Sequence, residues 1–187
     1  MVVLPSNHWD KVDFFFTENE LERLKGISDL FLKALAIIGR VYAERLDKSG
    51  NAELGHFIRV SDQFESLDEK VTGLLHDIVE DKMITFEDLI RVGIPMHIIE
   101  ALKILTRDKS VFPNYADYIT SILDSNNELA IQIKYADMLD NSSEQRLNLL
   151  DESVKIRLAA KYKNQLPRLE MKINEMNNNL VRERKCV

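Results

Sequence analysis

The chain has 187 residues, 45% hydrophobic and 30% charged, with six glycines and four prolines, enough to bury one sizeable core. Its net charge of −6 excludes a general binder of nucleic acid or anionic membrane, which needs an excess of Lys and Arg over phosphate, but leaves room for a small phosphate ligand in a local basic pocket. One cysteine, Cys186, no apolar run longer than ALAII at 34–38 and no signal-like N-terminus set the expectation of a cytoplasmic protein with no disulfide and no membrane span. Apolar residues recur at three- and four-residue spacing along the whole chain, so the predicted class is all-α, a single-domain helical bundle. TENE at 17–20 has the form of a capping box and starts a short helix to about Lys25. A second helix follows Ser28 through FLKALAIIGRVYAERL and ends at the polar turn DKSGN, 47–51. A third begins near His56 and covers FIRVSDQF. The next begins around Ser66 and carries LLHDIVED, and TFED at 85–88 caps a short one after it. Pro95 and Pro113 suit the starts of helices over MHIIEALKIL and NYADYITSIL. ELAIQIKYADMLDN, SVKIRLAAKY and a helix from about Pro167 complete the set, and the tail EMNNNLVRERKCV is expected to fray. Residues 1–26 read as an N-terminal helical segment, with Trp9 and the run 14–16 packing it down. Residues 27–165 read as the main domain and 166–187 as a final helix and tail.

The segments that carry chemistry begin with LLHDIVED. Read as a helix, it sets His76 and Glu80 on one face, with Leu75, Ile78 and Val79 opposite. By itself that fits an amphipathic helix with an acidic face in water. The helix over ELAIQIKYADMLDN is different, because apolar residues surround Asp137. A carboxylate there costs several kcal/mol unless a cation meets it. The partner is either within the fold, a Lys, an Arg or a helix N-terminus that Asp137 would cap, or a divalent ion. His56 shares an apolar face with Val60 and Phe64, whereas Arg59 and Asp62 point elsewhere. Two imidazoles, His56 and His76, with two carboxylates, Asp77 and Asp137, make a nitrogen and oxygen donor set suited to Mn²⁺, Fe²⁺ or Zn²⁺. Glu80 and Asp81 lie one turn beyond, where a carboxylate reaches a water without binding the metal.

His56, the pair His76 and Asp77, and the distant Asp137 reproduce the H…HD…D signature of the HD-domain phosphohydrolases, a family this chain resembles. DKSG…HFIRV, LLHDIVEDKMITFEDL, EALKILTRDK…NYADYI and IKYADMLDN extend the resemblance to the Rel/SpoT-type pyrophosphohydrolases and their small single-domain relatives. These relatives remove the 3′-diphosphate of guanosine tetraphosphate, ppGpp. Phe57 stands where the family has proline, and YAER at 42–45 where it has a histidine-glycine-glutamine element. The resemblance implies a Mn²⁺ site made by His56, His76, Asp77 and Asp137. It also implies that Glu80 and Asp81 act on the attacking water and that Asn141 contacts substrate or orients the site. Lys48, in the turn that matches the family's basic turn, is the first candidate for a phosphate contact. Lys134, on the face of Asp137 and Asn141, and Arg45 are further candidates. Arg59 and Arg107 read as solvated charges, and His8 and His97 match no ligand position.

The expected function is metal-dependent hydrolysis of the 3′-pyrophosphate of ppGpp or a related nucleotide, as in the stringent response, with no synthetase domain. A second enzyme reading is an HD-type nucleotidase, phosphomonoesterase or phosphodiesterase acting on another nucleotide. A third reading is a module that binds a nucleotide without turning it over.

Overall fold

Side chains at the helix starts organise the chain. A computed structural model describes residues 16–47 and 50–185. Thr17, Asp29, Ser66, Thr85, Asn114 and Asn127 each accept a hydrogen bond from a first-turn backbone N–H. Each cap satisfies a donor that the helix itself leaves unpaired. They open α1 (Glu18–Lys25), α2 (Leu30–Tyr42), α4 (Leu67–Leu75), α5 (Phe86–Arg91), α7 (Tyr115–Asp124) and α8 (Glu128–Asn141). The remaining helices are α3 (Leu54–Ser61), α6 (Met96–Leu105), α9 (Glu144–Leu147), α10 (Glu152–Lys163) and α11 (Leu166–Lys185). Among the described residues there is no strand, only an isolated antiparallel bridge between Leu46 and Ala52. The all-α class holds. No helix among the described residues is long and apolar enough to cross a membrane.

Several boundaries differ from expectation, and α3 spans Leu54–Ser61 where the sequence predicted a helix from about His56 through Phe64. α2 stops at Tyr42, because Leu46 is drawn into the bridge and the Asp47 N–H donates to Asn51 O at 2.8 Å, closing the loop. Gly50, at φ 80°, turns that loop, in a region that costs glycine little. α4 stops at Leu75, so residues 76–82 form consecutive turns rather than helix. The cause is local: His76 Nδ1 takes Gly73 O at 2.8 Å, the acceptor that a continuing helix gives to the Asp77 N–H. The stretch closes with the Lys82 N–H on Val79 O, the Met83 N–H on Ile78 O, and Lys82 at φ 57°. That is the Schellman pattern. The short α9 was not anticipated, and α11 runs through the tail to Lys185 instead of fraying.

The core has two large apolar bodies with α8 between them. One joins α1 to α6 through Ile37, Ile38, Tyr42, Phe57, Leu74, Leu75 and Ile99. The other joins α7, α8, α10 and α11 through Tyr118, Ile122, Ile131, Met138, Tyr162 and Leu169. A smaller cluster sets Ala130 and Ile133 of α8 against Ala101 and Leu105 of α6. α8 is therefore covered on most sides, as its sequence predicts, and Leu139 is its exposed apolar residue. Phe16 packs on the first body, whereas Trp9 and the rest of residues 1–15 lie outside the described residues.

Candidate metal centre and the cavity beside it

α3 and α4 approach closely because Gly73 has no side chain. A Cβ there would lie 3.1 Å from Ser61 Cα and 3.2 Å from Ser61 N. The approach sets the His56 ring, on α3, against the His76 ring at the end of α4, with centroids 5.2 Å apart and edge-on. Phe57 fills the space behind them, 4.4 Å from Tyr42 and 5.3 Å from His76 between centroids. Asp137 comes from the third turn of α8. Its Oδ1 is 3.3 Å from His56 Nε2 and 3.7 Å from His76 Nε2, and Asp77 Oδ2 is 3.3 Å from His76 Nε2. One donor atom from each of His56, His76, Asp77 and Asp137 falls within 4.8 Å of the others.

The hydrogen bonds around the rings fit a metal. A carbonyl only accepts, so Nδ1 of His76 carries the proton donated to Gly73 O and, in the neutral ring, Nε2 keeps its lone pair. That Nε2 is buried with no hydrogen-bond partner, the kind of orphan that needs a ligand or a cost. His56 Nδ1 is likewise turned away, onto Asp140 Oδ2 at 2.7 Å. Two ring nitrogens and two carboxylates then point at one place, a donor set that accepts a first-row divalent cation.

Both partners weighed for Asp137 bear on it. Lys134 Nζ, itself buried, donates to Asp137 Oδ2 at 2.7 Å, and Asn141 donates to Oδ1. Burial alone raises a carboxyl pKa, but the Lys134 charge and the two imidazoles outweigh it and hold Asp137 well below the usual carboxylate range. Burial disfavours the Lys134 ammonium, and the Asp137 charge more than offsets that, raising its pKa well above the ordinary lysine value. One oxygen of Asp137 is thus committed to an ion pair while the other faces the histidines.

A cavity of about 280 Å³ opens beside this centre. Asp77, Glu80 and Asp137 form its acidic wall. Arg107, Lys109, Lys134 and Lys161 supply positive charge, and the rings of Tyr115, Tyr118 and Tyr162 complete it with Asn141. Lys161 Nζ sits 4.0 Å over the Tyr115 ring. Arg107 is no solvated charge: its guanidinium donates to Phe112 O at 2.7 Å and Pro113 O at 2.7 Å, holding the loop before α7. Its backbone N–H donates to Glu80 Oε2 at 3.1 Å.

Glu80, Lys134 and Asn141, all expected at the site from sequence, therefore meet at the cavity wall. Asp81 does not join them. It accepts from Tyr42 OH at 2.8 Å, and burial, first among the causes, raises its pKa. Arg45 pairs with Glu53 at 3.1 Å and lies 5.0 Å over the Tyr42 ring, also away from the cavity wall. Lys48 lies outside the described residues, as does His8. His97 is exposed and bonds Asp68 at 2.8 Å, remote in role from the centre as expected. Sequence reasoning missed Asp140, whose only signal was its place three residues after Asp137. It also missed the α10 wall of Lys161 and Tyr162, for which no motif exists. Arg59 is likewise not a free surface charge, since it pairs with Asp140 at 2.6 Å.

No protein-family model matches the chain, and no curated protein matches it. Among solved structures, it is similar to a metazoan ortholog of SpoT, described as hydrolysing ppGpp and as playing a role in starvation responses. The TM-score is 0.59 at 22% identity, over 82% of this chain and 96% of that one. The chain has the all-helical fold of that hydrolase, the fold that its H…HD…D spacing resembles.

Proposed function

We propose that this chain is a divalent-metal-dependent phosphohydrolase that removes the 3′-pyrophosphate of ppGpp or a related nucleotide. The observation that carries the reading is the convergence of His56, His76, Asp77 and Asp137 on one point beside a basic cavity with tyrosine walls. The likeness to a ppGpp hydrolase supports it. His56, His76, Asp77 and Asp137 would hold a divalent cation, Mn²⁺ in this reading, which would supply Lewis-acid charge and lower the pKa of water. The protein's own residues do the rest. Glu80, fixed by the Arg107 N–H, takes the proton of the attacking water. Asn141 and Lys134 hold Asp137 in place. Lys109 and Lys161 balance the charge on the departing pyrophosphate, and the tyrosine rings offer apolar faces to the nucleoside. The catalytic unit is residues 27–165, in the cytoplasm.

The test is to incubate the purified protein with Mn²⁺ and a panel of phosphorylated nucleotides and to identify the products. GDP and pyrophosphate from ppGpp are expected, one water consumed per turnover. Glu80→Gln should bind Mn²⁺ and nucleotide normally while kcat falls about a hundred- to ten-thousandfold. Preferred turnover of nucleoside monophosphates would move the assignment to a nucleotidase. Tight nucleotide binding without turnover, across several metals, would make the chain a binding module.

A further inference from the structure

Asp140 is buried, and it is not one of the residues that face the common donor point. It nevertheless collects four hydrogen bonds. Oδ2 meets His56 Nδ1 at 2.7 Å, Arg59 Nη2 at 3.0 Å and Arg146 Nη1 at 3.0 Å, and Oδ1 meets Arg59 Nε at 2.6 Å. The two arginines come from α3 and α9, so the carboxylate is held from both sides before His56 is considered. Arg146 also reaches Asp47 Oδ2 at 3.5 Å, at the start of the loop that follows α2. A carboxylate in so many charge-assisted bonds has little freedom to move.

We infer that Asp140 is a positioning residue for the metal centre: clamped by Arg59 and Arg146, it fixes the His56 ring so that Nε2 points at the shared donor point. The inference rests on the metal-dependent reading above. A bond from the outer nitrogen of a ligating imidazole to a carboxylate sets its tautomer, its orientation and its strength as a donor. Here α8 supplies both kinds of carboxylate. Asp137 faces the centre, and Asp140, three residues on, reaches the far side of the ring that Asp137 meets. Without Asp140 the His56 ring is free to rotate about its Cβ–Cγ bond, and the arginines lose their shared anion.

The experiment is a calorimetric Mn²⁺ titration of the wild-type chain, Asp140→Asn and Asp140→Leu, with metal-free melting curves to confirm folding. Asn keeps an oxygen to accept from Nδ1 and loses the charge, whereas Leu removes both. Loss of a carboxylate behind a ligand histidine weakens metal affinity about 10- to 100-fold, so Asn should fall at the low end and Leu at the high end. Wild-type affinity in both variants would overturn the inference, as would equal losses, which would trace the effect to charge and not to the bond. If the Leu variant does not fold, Asn decides: a loss of about tenfold with an altered visible spectrum of bound Co²⁺ supports the role, and unchanged affinity and spectrum reject it. Wild-type protein that takes up no divalent cation removes the metal-dependent reading and this inference with it. Normal wild-type uptake with unaffected variants removes the inference alone.

Discussion

At the scale of single residues, Asp137 carries the most consequence. It is buried against Lys134 and two imidazoles, so its removal strands a lysine that has little water to turn to. Breaking one side of a buried pair costs about 3 to 5 kcal/mol. Asp137→Ala is expected to lose stability of that order in the metal-free protein, read from denaturant unfolding, and to lose stoichiometric Mn²⁺ binding by calorimetry. His97→Ala should change neither, because His97 bonds only the exposed Asp68 in these surroundings. The neighbouring carboxylates Glu80 and Asp81 show how much one position matters. The first reaches the cavity and the Arg107 N–H, the second reaches Tyr42. A helical wheel over 76–81 sets Glu80 about 40° and Asp81 about 140° from His76, but its angles do not apply, because the segment leaves the helix at His76.

At the scale of elements, helix starts and helix approaches each make a prediction. α1 is held by the Thr17 and Glu20 capping box and by Glu20 against Arg40 at 2.6 Å. The Arg40 bond, then the Thr17 bonds, bring the Glu20 pKa from 4.5 down to about 2. The unfolded chain takes up that proton near 4.5, while the folded one resists until about 2. The contribution is therefore complete above the first value and disappears as pH falls to the second. Melting temperatures measured across that window should fall less steeply for Glu20→Gln than for wild type. Gly73 governs the approach of α3 to α4, where the atoms facing it are Ser61 backbone and cannot swing aside. Gly73→Ala should cost about 1 to 3 kcal/mol. It should also weaken Mn²⁺ binding, because it moves His56 away from His76; calorimetry and thermal melting of the same preparation check both effects.

At the scale of the whole molecule, the candidate centre draws on α3, the turns after α4, and α8. A cation held there ties three segments far apart in the chain, and binding to the folded state alone adds stability by mass action. Mn²⁺ at about one hundred times its Kd contributes about 2.7 kcal/mol, and for a chain of this size that raises Tm by about 5 to 10 °C. The rise should be reversed by a chelator and absent from Asp137→Ala, in a thermal melt followed by circular dichroism. α8 is the natural seat for such a tie, since it packs on the first large apolar body through Leu129, on the second through Ile131 and Met138, and on α6 through Ala130 and Ile133.

The sequence by itself determined the helices that begin with a polar cap and continue with an apolar stripe. α8 runs over the predicted ELAIQIKYADMLDN, and Thr17, Thr85 and the two proline-led starts are where the caps put them. It also named the four residues that meet at the donor point, because two imidazoles and two carboxylates form a recognisable metal-type donor set and stand in an H…HD…D order legible along the chain. Where a helix yields to a side chain, as His76 takes the Gly73 carbonyl, the pattern of apolar residues is unchanged and gives no warning. The partnership of Asp140 with His56 spans 84 positions and that of Arg59 with Asp140 spans 81. Lys161 and Tyr162 join the cavity from a helix with no motif. Caps and periodicity act over a few residues, whereas these meetings are set by how closely α3, α4 and α8 pack. Only the tertiary structure decided them, because that packing depends on side-chain volume and backbone clearance summed over the whole core.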